Sequence, residues 1–390
     1  MTVPSKSLTL VLLLAVVISA SVAQELTPEQ RREIAHRIIT LSAQVKPREV
    51  VVIRGNVAFM PLMEDLALES SKLGGYAVFM PVSDRFMRGV ITEVPEQYYG
   101  QPDPLNTWLK NIDVLIDLPF FFNEEEVSRG VSQEHFAKLV GNGADQFRAA
   151  TQQSKGRSLF IEAPLPGQAA IFGFDLPSFS AMQWQAIGAD DASIEQSGER
   201  VAEALAHAKR VHVTSPDGTD FTFKPGQQNP LVSGGITHPE AAKWDDRSAS
   251  LPGGYVDAPL APGSFQGKIF TPEDYCTGLQ KLTGVSYQFS NGKLTSFNAE
   301  QNAKCLQDYF APYSGPKDVV ASVQIGLNPY LKSRSQTAPF NAAGMFWVNV
   351  GRDARLGITD TQLYWGIPVF KATVDVDGRK VIDNGQLQGQ

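Results

Sequence analysis

The residues able to do chemistry in this chain are few and scattered. Its five histidines are His36, His135, His207, His212 and His238. No two have the H-E-x-x-H spacing that sets both imidazoles on one helix face around a zinc ion. His207 and His212 straddle the end of a helical stretch and the start of a strand, where histidine is usually a cap or surface residue. His238 lies in GITHPEAAKWDD, a polar loop able to approach a pocket. In the same loop, Asp245-Asp246 is a candidate carboxylate pair for metal or acid–base work, or simply two solvated charges. The only two cysteines, Cys276 and Cys305, have no histidine nearby and do not make a zinc site. In an oxidising compartment they can form a disulfide stabilising by about 3 kcal/mol in the chain-entropy model; otherwise they are two buried thiols.

Other motifs are missing at decisive positions. There is no G-x-S-x-G nucleophile elbow and no glycine-rich phosphate loop after a strand. DVDG at 375–378 opens like a calcium loop but lacks the later ligands, so it reads as a hairpin turn. NEEEVSRG reads as an acidic, solvent-facing helix cap. The stretch most like a site is GMFWVNVGRDARLGITDTQLYWG, 344–366. Aromatic clusters flank Arg352, Asp353, Arg355 and Asp360, with glycines at the bends.

Those residues must be positioned by a chain of 390 residues, long enough for two domains or two halves sharing an interface. With 43% apolar residues and 9% aromatics the composition is globular. A formal charge of -7, with no Lys/Arg cluster, argues against a nucleic-acid partner. The N-terminus has one lysine, an apolar run from Leu8 to Ala20 and then Ser21-Val22-Ala23. That is the pattern of a secretory signal peptide over 1–23, cut after Ala23; the alternative is an uncleaved anchor. The mature chain is expected to be exported, periplasmic or extracellular, without stable membrane insertion.

Thr27, Pro28 and Gln30 start a helix with a capping box, and Ile34, Ile38, Ile39 and Leu41 give it an apolar face. REVVVIRG, YAVFMPVSD, NIDVLIDLPF and RSLFIEAP are short apolar strands between helical segments, which predicts an α/β domain over 24–205 with a parallel sheet. A helix with Val201, Leu205 and Ala208 on one stripe closes it. Residues 206–390 then read as an α+β domain rich in antiparallel hairpins, turning at Pro216-Asp217-Gly218, Asn291-Gly292 and Asp377-Gly378.

Within that half, SPDGTDFTF, LPGGYVDAPLAPGSFQGKIF, ASVQIGLNP and GMFWVNVG…TQLYWG follow in order, then VDVDGRKVIDNGQL. This succession resembles the M29 aminopeptidases, the aminopeptidase T and aminopeptidase S group of metallopeptidases, whose fold the ring-cleaving dihydroxypyridine dioxygenases share. The resemblance implies that fold over the mature chain and a possible homodimer. It also implies a loss. The family's metal-binding glutamate before the Ala-Pro step falls on Tyr255, and its second glutamate on Ser322. Its strand histidine falls on Trp347, and its final His-Trp-Asp on Tyr364-Trp365-Gly366. The two histidines and aspartate of the dioxygenases would use overlapping positions.

A dinuclear hydrolase needs carboxylates and imidazoles holding two cations about 3.5–4 Å apart. The expectation is therefore no metal and no cofactor. The chain would be a non-catalytic or metal-independent relative whose former active site binds a small-molecule or peptide ligand, lined by Tyr255, Asp257, Ser322, Trp347, Arg352, Asp360 and Tyr364. The rival expectation is an active aminopeptidase or aromatic-ring dioxygenase with relocated ligands drawn from Asp257, Asp360 and His238. A third is a partner-binding module using the family's dimer surface.

Overall fold

The computed structural model describes residues 26–99, 107–132, 135, 155–241, 247–276, 280–353, 356–358 and 360–388. The expected signal peptide, Asp245-Asp246 and Arg355 lie outside the described residues. No helix among the described residues is long and apolar enough to cross a membrane.

Four strands come first: β1 (Val50–Asn56), β2 (Tyr76–Val82), β3 (Val114–Asp117) and β4 (Arg157–Ile161). All pair in parallel. The apolar runs of β1, β3 and β4 bury Val51, Ile53, Ile116, Leu159 and Ile161 against the first helices, whereas β2, at the edge, has no buried residue. The helix Pro28–Arg37 starts with the anticipated capping box between Thr27 and Gln30. Leu41 departs from the expected apolar face. The chain widens into a π-turn over Ile38–Ser42, closed by Ala43 N–H donating to the Ile38 carbonyl. The extra residue per turn rotates Leu41 into solvent while Ile38 and Ile39 stay buried.

After the helix Asp191–Ala206 come β5 (Val211–Thr214), β6 (Asp220–Phe223), β7 (Leu231–Ser233), β8 (Ser248–Leu251) and β9 (Tyr255–Pro259). The long strands β10 (Gln266–Cys276) and β11 (Gln280–Ser290) follow, then β12 (Lys293–Asn298) and β13 (Val320–Gly326). The chain ends with β14 (Phe346–Gly351), β15 (Tyr364–Val369), β16 (Thr373–Val376), β17 (Arg379–Asp383) and β18 (Gln386–Leu387). The strands make three sheets, ordered β2-β1-β3-β4-β8, β12-β11-β10-β6-β5-β16-β17-β18 and β15-β14-β13-β9-β7. The last two enclose the main core, where Phe221 stacks on Phe265 and meets Phe346.

The division expected near residue 205 is crossed once. β8 returns to the first sheet and pairs in parallel with β4, from Ser158↔Ser248 to Ile161↔Leu251. From Leu251 only three residues lead into β9, so the parallel sheet hands the chain directly to the five-stranded sheet. Gly254 needs its glycine there: its φ is +117° and a Cβ would sit 2.8 Å from the Asn328 nitrogen. Cys276 and Cys305 form a disulfide, tying the end of β10 to the helix Ala303–Phe310. DVDG is a hairpin turn whose Asp377 carboxylate accepts the backbone N–H groups of Lys209 and Arg210, both at 2.9 Å. Those two bonds hold the carboxyl below its ordinary range.

Candidate functional site

The five-stranded sheet has two unlike faces because its strands alternate in polarity. Val256, Ala258, Val323, Ile325, Phe346, Val348, Val350, Trp365 and Ile367 point into the main core. The intervening residues fall into register on the opposite face. Gln324 of β13 stands between Asp257 of β9 and Trp347 of β14. Ser322 pairs with Asn349, and Asn349 with Gly366 of β15. Tyr255 lies opposite Gly326, and Tyr364 opposite Gly351.

Hydrogen bonds connect this face. Gln324 Nε2 donates to Asp257 Oδ2 at 3.0 Å. Tyr364 Oη donates to Asn349 Oδ1 at 3.1 Å, and Asn349 Nδ2 donates to Ser322 Oγ at 3.1 Å. The aromatic groups provide walls. Tyr255 meets Phe340 edge-on with centroids 5.3 Å apart. Trp347 packs toward Met182, Ala186 and Met345, and its indole covers Gly366, where an added Cβ would come within 3.0 Å of the ring. The Trp347 Nε1–H is buried and has no partner among the described residues. Asn328 and Asn341 stitch the covering loop to the link between β8 and β9, donating to the Gly253 carbonyl at 2.9 Å and the Pro252 carbonyl at 2.7 Å.

The support behind the face also carries buried polar groups. Tyr309 Oη donates to the Tyr364 carbonyl at 3.0 Å. Burial, then the neighbouring Tyr313, pushes the Tyr309 phenol up to about 12, so it stays a neutral donor. On the core side Trp365 Nε1–H donates to Tyr287 Oη at 3.3 Å, and Tyr287 Oη–H donates to Asp274 Oδ2 at 3.4 Å. Burial pushes Asp274 up to about 7, against which the bonds from Tyr275 N–H and Tyr287 act weakly.

Tyr255, Asp257, Ser322, Trp347 and Tyr364 thus share one face. Arg352 and Asp360 belong instead to the connection between β14 and β15. The Arg352 guanidinium donates to Gln362, and Asp360 is exposed with its carbonyl against Gly315. His238 is turned away: its Nε2 bonds Glu195 at 2.9 Å, on the helix that covers the other face of this sheet through Gly198, Val232 and Leu327. Asp257, Asp360 and His238 are therefore not assembled into a replacement metal site. Gln324 and Asn349 escaped the sequence reading because amides are not among the carboxylate and imidazole ligands of a dinuclear hydrolase, although strict alternation in SVQIG and FWVNVG marks both.

A metal does not fit this face as described. Its donors are two phenols, an indole, a hydroxyl, two amides and one carboxylate, and Gly366 has no room for a ligand beneath Trp347. No group of three or more His, Cys, Asp or Glu among the described residues is placed to hold an ion. The face combines aromatic rings with directed donors and acceptors, with Asp257, Ser322 and Asn349 buried in it.

Comparison with known proteins adds family and fold. A family model described as "NicX: 2,5-dihydroxypyridine 5,6-dioxygenase" matches residues 189–389. No curated protein matches. Among solved structures, 2,5-dihydroxypyridine dioxygenase from Pseudomonas putida KT2440 is similar with a TM-score of 0.61 at 16% identity, covering 94% of this chain and 99% of that one. AmpT from Thermus thermophilus is similar with a TM-score of 0.70 at 14% identity, covering 93% and 99%. At these identities the structural likeness establishes the fold.

Proposed function

The chain belongs to the NicX, 2,5-dihydroxypyridine 5,6-dioxygenase, family, and from that premise we propose that it binds a small planar aromatic ligand without metal-centred chemistry. The seat is the polar face carrying Tyr255, Asp257, Ser322, Gln324, Trp347, Asn349 and Tyr364. The observation carrying this reading is the donor set: one carboxylate among amides, hydroxyls and aromatic rings. Two of its features suit a ring-shaped ligand. The indole and phenol walls offer stacking area at low entropic cost. The Trp347 N–H is an unmet donor on that face, closed from solvent in this structure, and costs about 1–3 kcal/mol while unpaired.

The test is titration with 2,5-dihydroxypyridine, followed by tryptophan fluorescence in the wild type and in Trp347→Phe. Metal analysis of chelator-free protein and oxygen-uptake measurement accompany it. A saturable change that disappears in Trp347→Phe, with metal below about a tenth of an equivalent and no oxygen uptake, supports the proposal. One or two tightly held metal equivalents with oxygen uptake, or with peptide hydrolysis, would establish the active-enzyme reading instead.

Export belongs to the same proposal. It is supported by the signal-like 1–23 and by the disulfide, a bond that persists in oxidising compartments. A mature N-terminus at Gln24 on exported protein tests it. Homodimerisation rests on the resemblance, and light scattering tests it.

A further inference from the structure

A concave surface lies apart from that face. The helix Asp191–Ala206 and the strands β17 and β18 enclose a groove of about 390 Å³, within the range of small-molecule pockets. Its floor is apolar: Val201 and Val381 are buried, and Ala204 and Leu387 half-buried. Its rim carries Arg200, Arg379 and Lys380. Lys380 is neutralised by Asp383 at 2.9 Å. Arg200 Nη2 reaches only the Ser197 hydroxyl, at 3.0 Å, and neither it nor Arg379 forms an ion pair among the described residues. Glu203 is the remaining rim acid.

The groove is preformed. Asp377 clamps the β16–β17 turn to the link between the helix and β5 through Lys209 and Arg210, and Gln388 N–H donates to the Val381 carbonyl at 2.8 Å. Two guanidinium groups without an ion pair among the described residues thus stand beside an apolar floor. A guanidinium is weakly hydrated and matches a carboxylate with two parallel hydrogen bonds. We propose that this groove binds a small anionic amphiphile. Its carboxylate sits between Arg200 and Arg379, and its alkyl or aryl tail lies over Val201, Ala204, Val381 and Leu387. The proposal is independent of the ligand seat on the five-stranded sheet.

The experiment is calorimetric titration of the full mature chain with octanoate, acetate and octanamide. Saturable octanoate binding is expected. Acetate, lacking the tail, and octanamide, lacking the charge, should each bind at least about tenfold more weakly. Arg200→Ala and Arg379→Ala should each weaken octanoate about tenfold, Arg379→Lys should weaken it less, and Glu203→Gln should tighten it. All three positions are exposed, and unchanged thermal melts confirm that the variants fold. Absence of saturable octanoate binding, equal binding of octanamide, or indifference to both arginine-to-alanine changes overturns the proposal.

Discussion

Replacing Asp274 with asparagine should reverse part of the protein's pH dependence of stability. The carboxyl is 7% exposed, and its partners are Tyr275 N–H and the Tyr287 hydroxyl. Burial raises it from its ordinary 3.8 to about 7 in the folded state. A raised folded value favours the protonated fold. The contribution is fully present below pH 3.8 and is lost as pH rises toward 7, after which it is flat. At about 1.4 kcal/mol per pH unit the whole interval amounts to about 4 kcal/mol. Asparagine is neutral throughout and has a similar shape. At pH 5 the variant should be equal to the wild type or weaker by about 1 kcal/mol, the cost of one altered hydrogen bond. By pH 8 its stability relative to the wild type should have risen by about 3 kcal/mol. Urea unfolding of both proteins from pH 5 to 8 measures the difference, in which other titrating groups cancel. A difference that does not change with pH would refute the reasoning.

Three further outcomes follow from the described contacts. Changing Cys276 and Cys305 to serine opens a loop spanning 29 residues and should cost about 3 kcal/mol, seen as a lower melting temperature that reductant reproduces in the wild type. Gly366→Ala drives a Cβ to within 3.0 Å of the Trp347 ring; it should cost about 1–3 kcal/mol by overpacking and shift the tryptophan emission. Asn349→Leu removes a hydrogen-bond partner from each of Ser322 and Tyr364, so denaturant melts should show a loss of about 1–3 kcal/mol, and titration should show weaker binding of 2,5-dihydroxypyridine.

Much of the local structure was legible in the chain. Thr27 and Gln30 announce a capping box, apolar runs announce buried parallel strands, and Asn291-Gly292 and Asp377-Gly378 announce hairpins. Each signal lies within a few residues. Alternation also sets Tyr255 with Asp257, Ser322 with Gln324, and Trp347 with Asn349, on one side of their own strands. Sequence order, however, does not say which strands are neighbours. Asp257 and Gln324 are 67 positions apart, yet they face each other across one ladder step. Strand β8 returns to complete the parallel sheet across the expected division. A single π-turn sends Leu41 into water, and the loop between β14 and β15 carries Arg352 and Asp360 off the rows they were expected to join. The sequence by itself determined the periodicities, because a side chain's direction follows from the backbone repeat of its own element. Only the tertiary structure decided the site's membership and the disulfide, because both depend on pairing between distant segments, where burial and hydrogen-bond satisfaction over the whole fold outweigh local preference.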